Sequence, residues 1–151
     1  MTGFYNILNK LKVHFDADPI VNSVTQGDIF QVDLNKQTIF PLVHIMTNNC
    51  ILDSNTMTFN ISVIAMDIVD ISKSETTDEF TGNDNEIDVL NTQQAVLNRA
   101  FQMMKHGNLA YDLFQIEGSA NCEPFTERFE NLLAGWTMTF DVVVPNEMTI
   151  C

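Results

Sequence analysis

The segment from Thr56 to Ile71 constrains the fold more than any other part of the chain. At its start, apolar side chains occupy every second position and polar side chains the positions between them: Met57, Phe59, Ile61, Val63 and Ala65 against Thr58, Asn60 and Ser62. This period of two predicts a β-strand with one buried face. Further along, Ile64, Met66 and Ile68 make the second face apolar as well. That end of the strand therefore needs cover from a helix or from a neighbouring subunit.

Segments that precede this strand also predict extended structure. Thr38 to Thr47 is rich in β-branched and apolar residues. Pro41 within it indicates the beginning of a strand or an edge strand, because proline donates no main-chain hydrogen bond. The polar residues of Asn48 to Asn55 are typical of a loop. Ile20 to Val32 predicts two short extended pieces with a turn at Gly27.

Two further strands are predicted near the end of the sequence. They cover Ala110 to Ile116 and Phe129 to Val144, and turn-forming residues lie between them: Gly118, Asn121 and Pro124. In the second of these strands, alternate positions carry large apolar side chains: Trp136, Met138 and Phe140. We expect these three side chains to form the core together with Phe101, which lies in a predicted helix.

Helical spacing occurs in two segments. Gly3 to Phe15 repeats apolar residues at intervals of three and four, and Pro19 follows its end. Ile87 to Lys105 repeats them over a longer stretch, with Gly107 just beyond. The order of elements predicts an α+β domain in which an N-terminal helix and a central helix pack on a mainly antiparallel β-sheet.

Length and charge limit the classes of function. A chain of 151 residues with 45% hydrophobic content predicts a single domain over residues 1–151 with one sizeable core. The net charge is −13, and the seven basic residues are scattered, which argues against sequence-independent binding of DNA or RNA. Such acidity either keeps a surface soluble or repels a polyanion that must pass without sticking.

Location and redox state follow from similar arguments. The longest apolar run, Ile61 to Ile71, contains two aspartates and is much shorter than the ~20 apolar residues that span a bilayer, so we expect no membrane contact. The first residues lack the basic and apolar regions of a secretion signal, which predicts synthesis in the cytosol. The cysteines are widely spaced and odd in number, and we expect free thiols: Cys50, Cys122 and Cys151.

No catalytic motif is found in the sequence, and no cysteine lies in a nucleophile motif. His14, His44 and His106 fall on three different predicted elements, which does not favour a shared metal site. The acidic run around Asp84 and Asp88 lacks the spacing of an EF-hand calcium loop. The sequence therefore predicts a protein that is not an enzyme and that uses no metal ion or cofactor.

The acidic segment from Asp70 to Asp88 predicts a loop that contacts partners. Its carboxylates and small polar residues bury too little apolar surface to offset the ordering cost of ~1 to 2 kcal/mol per residue, so we expect the segment to order only against a neighbouring protein. Phe80 is its single aromatic residue. Its side chain is suited equally to inserting into a pocket of a partner and to packing on its own domain. The candidate contact residues are Asp70, Glu75, Asp78, Glu79, Phe80, Asp84 and Glu86.

The last strand resembles a known group of phage proteins. The segment from Thr126 to Asn146, TERFENLLAGWTMTFDVVVPN, is similar to the end of small tail-completion proteins of tailed bacteriophages, in which an Arg-containing segment enters a strand through a Gly-aromatic step. Here that step is Gly135-Trp136. The segment FPLVHI at 40–45, the Thr58 to Ile68 strand and the Leu90 to Met104 helix are similar to the same group, especially to structural proteins of crAss-like phages.

This resemblance implies a tail-terminator-like fold and a structural role in the virion. Members of the group form homo-oligomeric rings at the head-to-tail neck or the tail end, contact neck, portal or tail proteins, and let DNA pass without specific binding. The acidic loop is longer than a minimal member of the group needs. Two forms of the structural role are therefore considered: a standard terminator, and a neck ring with an extra contact arm. The alternatives are a small binding or regulatory module, such as a host-directed phage protein, and an unrecognised enzyme.

Overall fold

A five-stranded sheet with the order β1-β2-β3-β5-β4 forms the centre of the structure. The computed structural model describes residues 4–27, 39–69, 86–106, 115–128 and 133–146. Strand β1 pairs with β2 in parallel, and the other neighbouring strands pair antiparallel. The strands are β1 Ser23–Gln26, β2 Leu42–Leu52, β3 Thr56–Ile68, β4 Gln115–Arg128 and β5 Leu133–Pro145.

Helices α1 (Phe4–Asp16) and α2 (Glu86–His106) pack on the same face of this sheet, here called the helix face. Both helices agree with the prediction from apolar spacing, and the α+β class is confirmed. Helix α1 buries one stripe of its surface: Ile7, Leu11 and Phe15. Helix α2 packs on β3, β4 and β5, whereas α1 packs beside β1. Neither helix combines the length and the apolar character that crossing a membrane requires.

Strand β3 is central and carries the predicted alternation. On the helix face its side chains are part of the main core, with Ile61, Val63 and Ala65 fully buried. The opposite face, here called the second face, carries a separate apolar cluster at the far end of β3: Phe40, Leu42, Met66, Phe125 and Leu133. The prediction that this end of the strand is apolar on both faces is confirmed, and the cover comes from within the chain.

The predicted loop from Asn48 to Asn55 is wrong over most of its length. Strand β2 continues to Leu52 because its residues keep pairing with β3, and a register shift between Thr47 and Asn49 accommodates Asn48 as a bulge. The turn itself is confined to 53–55, where the Asp53 amide donates to the Thr56 carbonyl oxygen at 2.9 Å. Cys50 therefore lies in a strand.

The predicted break at Gly118, Asn121 and Pro124 is also wrong, since all three residues lie within β4. This strand is outermost in the sheet, where a proline costs no pairing on the outer side. Gly118 has a φ of 72° and lies within the register shift between Glu117 and Asn121, where a left-handed residue fits a bulge. The predicted pieces 110–114 and 129–132 lie outside the described residues.

Gly135 and Trp136 lie in β5, and the Trp136 side chain connects this strand to α2. The indole Nε1–H of Trp136 donates to the Leu90 carbonyl oxygen at 2.8 Å, and the ring is half-buried against the main core together with Phe101. Met138 and Phe140, further along β5, are 1% and 2% exposed. A Cβ on Gly135 would overlap the main-chain carbonyl oxygen of the neighbouring strand β3.

We predict that Gly135→Ala destabilises the protein by about 3 kcal/mol, at the upper end of overpacking, because the atom that the new methyl group meets is main chain in a central strand. The free energy of unfolding from urea denaturation measures this. Thr137→Ala, two residues along the same strand and only half-buried, is the matched control and should cost less than about 1 kcal/mol. Equal midpoints for the two variants would contradict the close approach at Gly135.

Candidate interaction surfaces

The histidines lie on α1, β2 and α2 and do not converge. Among the described residues, no group of three or more potential ligands could hold a metal ion. His44 is fully buried between β1 and β2. Its Nε2–H donates to the Gly27 carbonyl oxygen at 2.8 Å, and in the neutral ring Nδ1 accepts from the Thr25 hydroxyl at 2.7 Å. This residue therefore fixes β1 to the sheet edge.

An ion pair between a buried carboxylate and a half-exposed guanidinium links the end of α1 to α2. The Asp18 carboxylate, two residues after the end of α1, belongs to a residue that is 7% exposed. It accepts from the Arg99 guanidinium of α2 at 2.9 to 3.1 Å through both oxygens. It also accepts from the Ile20 amide at 3.0 Å. A buried carboxylate needs such partners, so this pair acts as a structural anchor and offers no reactive group.

The predicted contact residues of the acidic segment fall almost entirely outside the described part of the chain. Asp70, Glu75, Asp78, Glu79, Phe80 and Asp84 belong to residues 70–85, which the structure does not describe. Glu86 begins α2, but its side chain is also not described. The role of these residues stays a prediction.

Polar side chains cross three strands on the second face. The Asn48 Nδ2 group donates to Asn60 Oδ1 at 2.7 Å and to Ser62 Oγ at 2.8 Å. Asn60 Nδ2 in turn donates to Asp141 Oδ1 at 2.8 Å, and the Ser62 and Thr139 hydroxyls are 3.0 Å apart. The middle of the sheet is therefore polar on the second face, whereas it is apolar on the helix face.

Carboxylates extend this polar surface towards β4. The register places Glu117 opposite Asp141 and Glu123 opposite Thr137, so the side chains of each pair point to the second face. Both glutamates are exposed. The second face is therefore acidic next to the β4 edge.

The hairpin between β2 and β3 exposes apolar side chains near its turn. Ile51 and Leu52 are 65% and 72% exposed, and Cys50 beside them is an exposed free thiol. The first turn of α1 exposes two aromatic rings, Phe4 at 41% and Tyr5 at 84%. An exposed group of large apolar residues is typical of a protein contact.

These apolar residues were not singled out from the sequence. The apolar triplet at positions 50–52, inside an otherwise polar segment, was the available signal for the hairpin residues. The adjacent aromatic rings at positions 4 and 5 were a similar signal, because a helix of this length buries only one stripe.

A groove of about 410 Å³ lies between α1 and the β1 edge of the sheet. Phe4, Tyr5, Leu8, Val24 and Ile45 give it a largely apolar lining, and Asn9, Lys12, Thr25 and Gln26 add polar side chains. The Phe4 ring stacks on Phe59 of β3 with 5.4 Å between ring centroids, which fixes the start of α1 over the sheet. The groove is therefore bounded by ordered elements on both sides.

The two outer strands of the described sheet differ in length. Strand β1 covers β2 only from Leu42 to Ile45, so the remaining part of β2, Met46 to Leu52, projects beyond it. On the other side, β4 runs for 14 residues and is largely exposed. Outer strands present main-chain N–H and C=O groups to any strand that approaches them.

Compared with known protein families and with curated protein sequences, this chain matches none.

Asp67 is a half-buried carboxylate on the helix face near the end of β3. Its partner in β5 is Ala134, which packs against Val89 of α2. Burial raises the pKa of Asp67 above 3.8, although a hydrogen bond from the Ile68 amide opposes this. A raised folded-state pKa means that the native state binds a proton more tightly than the unfolded chain does, so the carboxyl group's contribution to stability is lost as pH rises through that pKa.

We therefore predict that Asp67→Asn stabilises the protein at pH 7 and that this gain shrinks as pH falls towards 4. Asparagine keeps the oxygen that accepts from the Ile68 amide and removes the charge. Urea midpoints at pH 4, 5, 6 and 7 measure the effect. Asp53→Asn, in the exposed hairpin turn, is the control and should give no such gain. A pH-independent difference between Asp67→Asn and the parent protein would contradict the effect of burial.

Proposed function

We propose that this protein is a structural, non-enzymatic subunit of a tailed-phage virion that forms a ring at the head-to-tail neck or the tail end. The observation that carries the proposal is that the two sides of the sheet end in different strands. On one side lie β1 and the projecting part of β2, and on the other side lies β4. Contact between two different surfaces is heterologous, and it generates a closed ring when the rotation between subunits closes.

The projecting part of β2 is the half of this contact that carries apolar side chains. Ile51 and Leu52 are exposed there, and burying an apolar side chain of this size contributes about 1.5 to 3 kcal/mol. In the proposed ring, this part of β2 in one subunit lies along β4 of the next. The contact would cover the free edge of the projecting part of β2 and the outer edge of β4 at once, which removes two sites of uncontrolled strand pairing.

The acidity of the protein fits a channel for DNA. The net charge is −13, and the second face carries Asp141 together with Glu117 and Glu123 of β4. A ring that turns an acidic surface to its lumen repels phosphate groups, so the genome would pass without binding. Neighbouring neck, portal or tail proteins would then contact the upper and lower rims of the ring.

The expected result is that the purified protein, alone or on a neighbouring neck or tail ring, forms closed rings of one size by light scattering and electron microscopy. The double variant Ile51→Lys with Leu52→Lys should keep its circular dichroism spectrum and lose assembly, because it places charge on the proposed contact. Val13→Lys is the matched control: Val13 is 60% exposed on α1 and belongs neither to the projecting part of β2 nor to β4, so this variant should assemble normally.

Two results would overturn the proposal. One is the absence of the chain from purified virions of a phage that encodes it. The other is a strictly monomeric or dimeric state under all these conditions, which would favour the small binding module, for which the groove beside α1 is the structural support.

A further inference from the structure

Strand β1 has an unpaired main-chain edge on its outer side. The Ser23 and Gly27 amides donate towards the β2 side, at 3.3 and 3.1 Å. Main-chain groups of successive strand residues point to opposite sides, so the N–H and C=O groups of Val24 and Gln26 point away from β2. Within the described part of the chain, these outward groups have no hydrogen-bond partner. Such an edge is a template for another strand.

The groove beside α1 runs along this same edge. Val24 and Gln26 lie on the helix face of the sheet, opposite Val43 and Ile45, and both line the groove. Helix α1 forms the other wall, with Leu8 as one of its apolar residues. A strand that pairs with β1 would therefore place every second side chain of its own in the groove.

Both walls of the groove are held in place before any guest arrives. Helix α1 is fixed at its start by the stacking of Phe4 on β3 and beyond its end by the bond from Asp18 to α2. Strand β1 is fixed by the His44 ring, which bonds to main chain and side chain of this strand at 2.8 and 2.7 Å. Binding at such a site has a small ordering cost on the receptor side.

We infer that β1 and the groove bind an extended segment of a different protein by strand addition. In this mode of recognition, main-chain hydrogen bonds to a sheet edge provide affinity, and pockets for alternate side chains provide specificity. The guest forms an additional strand outside β1, bonded to the outward groups of Val24 and Gln26. Its apolar side chains, at every second position, lie between β1 and α1.

The charge of the site defines the guest further. No carboxylate lines the groove, and its one ammonium group, that of Lys12, is already bonded to Asp16 at 2.7 Å. The groove therefore offers no unpaired charge, which favours apolar side chains in it. The whole chain has a net charge of −13 and repels an acidic segment. The guest is thus neutral or basic outside its apolar positions.

The exposed strands of this chain do not have the pattern of the guest. Ile51 and Leu52 of β2 are adjacent, so their side chains point to opposite faces of a strand. Strand β4 exposes Glu117 and Glu123, which the charge of the chain disfavours. The proposed ring contact uses the projecting part of β2 and β4 and leaves β1 free. This inference therefore adds a second contact and does not depend on the ring.

Peptides selected from a random eight-residue library against the full chain test the mode of binding. We expect the selected sequences to carry apolar residues at alternate positions and few acidic residues. In fluorescence anisotropy, N-methylation of the peptide amides that face β1 should weaken binding at least about tenfold, and N-methylation of the intervening amides less than about twofold. Failure to select any binder would overturn the inference. Binding that is insensitive to N-methylation at every position would overturn it too, since an apolar pocket alone behaves in that way.

Two substitutions at Gln26 test the edge from the receptor side. The Gln26 amide points away from β2, so a proline there removes the outward donor without removing a bond of the sheet. Gln26→Ala removes the exposed side chain and keeps the donor. We expect Gln26→Ala to bind the selected peptide at least about tenfold more tightly than Gln26→Pro, with equal circular dichroism spectra. Equal peptide binding by the two folded variants would overturn the inference.

Variants on α1 locate the guest in the groove. Tyr5 lines the groove and is 84% exposed, so Tyr5→Ala should fold and should weaken peptide binding about fivefold. Val13→Ala, on the same helix but outside the groove, should leave binding unchanged. Unchanged binding by Tyr5→Ala would place the peptide outside the groove and overturn the inference.

Ring formation by Gln26→Pro distinguishes a different protein from a second copy. We expect this variant to lose peptide binding and to assemble as the parent protein does. Loss of rings together with peptide binding would mean that β1 pairs with a neighbouring copy, which would overturn the inference. Rings formed by a chain that binds no selected peptide contradict this inference alone, and peptide binding by a chain that never forms rings contradicts the proposed function alone.

Discussion

The central position of β3, paired on both edges and buried on its helix face, is the constraint on which the rest of the structure depends. The strand pairs with β2 on one side and with β5 on the other along its length. Its helix-face side chains are buried, and Met66 on the second face is buried as well. Because both of its edges are paired and the middle of its helix face is buried, the other elements must lie around it. Helices α1 and α2 therefore share one face, and the outer strands end the sheet.

The position of α1 follows from fixed contacts at its two ends. Phe4 stacks on Phe59 of β3 at the start of the helix, and Asp18 bonds to Arg99 of α2 just after its end. A buried carboxylate that lost its partner would leave an uncompensated charge, so the second contact is strongly constrained. With both ends held, the side of α1 that carries Tyr5 faces the β1 edge and forms the groove. The groove is thus a consequence of how the helix is anchored.

The sequence predicted those parts of the fold that depend on local periodicity. Both helices and β3 were found because their apolar spacing is contained within each segment. The extension of β2 to Leu52 was missed, because it depends on pairing with a strand whose register tolerates a bulge near Asn48. Strand β4 was missed for a related reason: Gly118 and Pro124 are ordinary turn signals, and only an outermost position makes them compatible with a strand.

The surfaces were less predictable than the fold, because each combines elements that are distant in sequence. The groove joins α1 to β1 and β2, and no pattern within one segment indicates that these elements meet. The exposed aromatic pair at the start of α1 was visible in the sequence, but its exposure depends on which stripe of the helix the sheet covers. The acidic segment was the predicted contact region, and residues 70–85 lie outside the described structure.

The distribution of charge over the sheet favours one geometry of association over another. The carboxylates of the second face lie next to β4 on one side of the sheet, whereas the projecting part of β2, on the other side, carries no carboxylate. Two identical acidic surfaces repel each other, which disfavours a symmetric dimer through β4. A contact between β4 of one copy and the projecting part of β2 of another avoids this repulsion, because Met46 to Leu52 carry no carboxylate. This asymmetry favours head-to-tail association, which is the geometry that a ring requires.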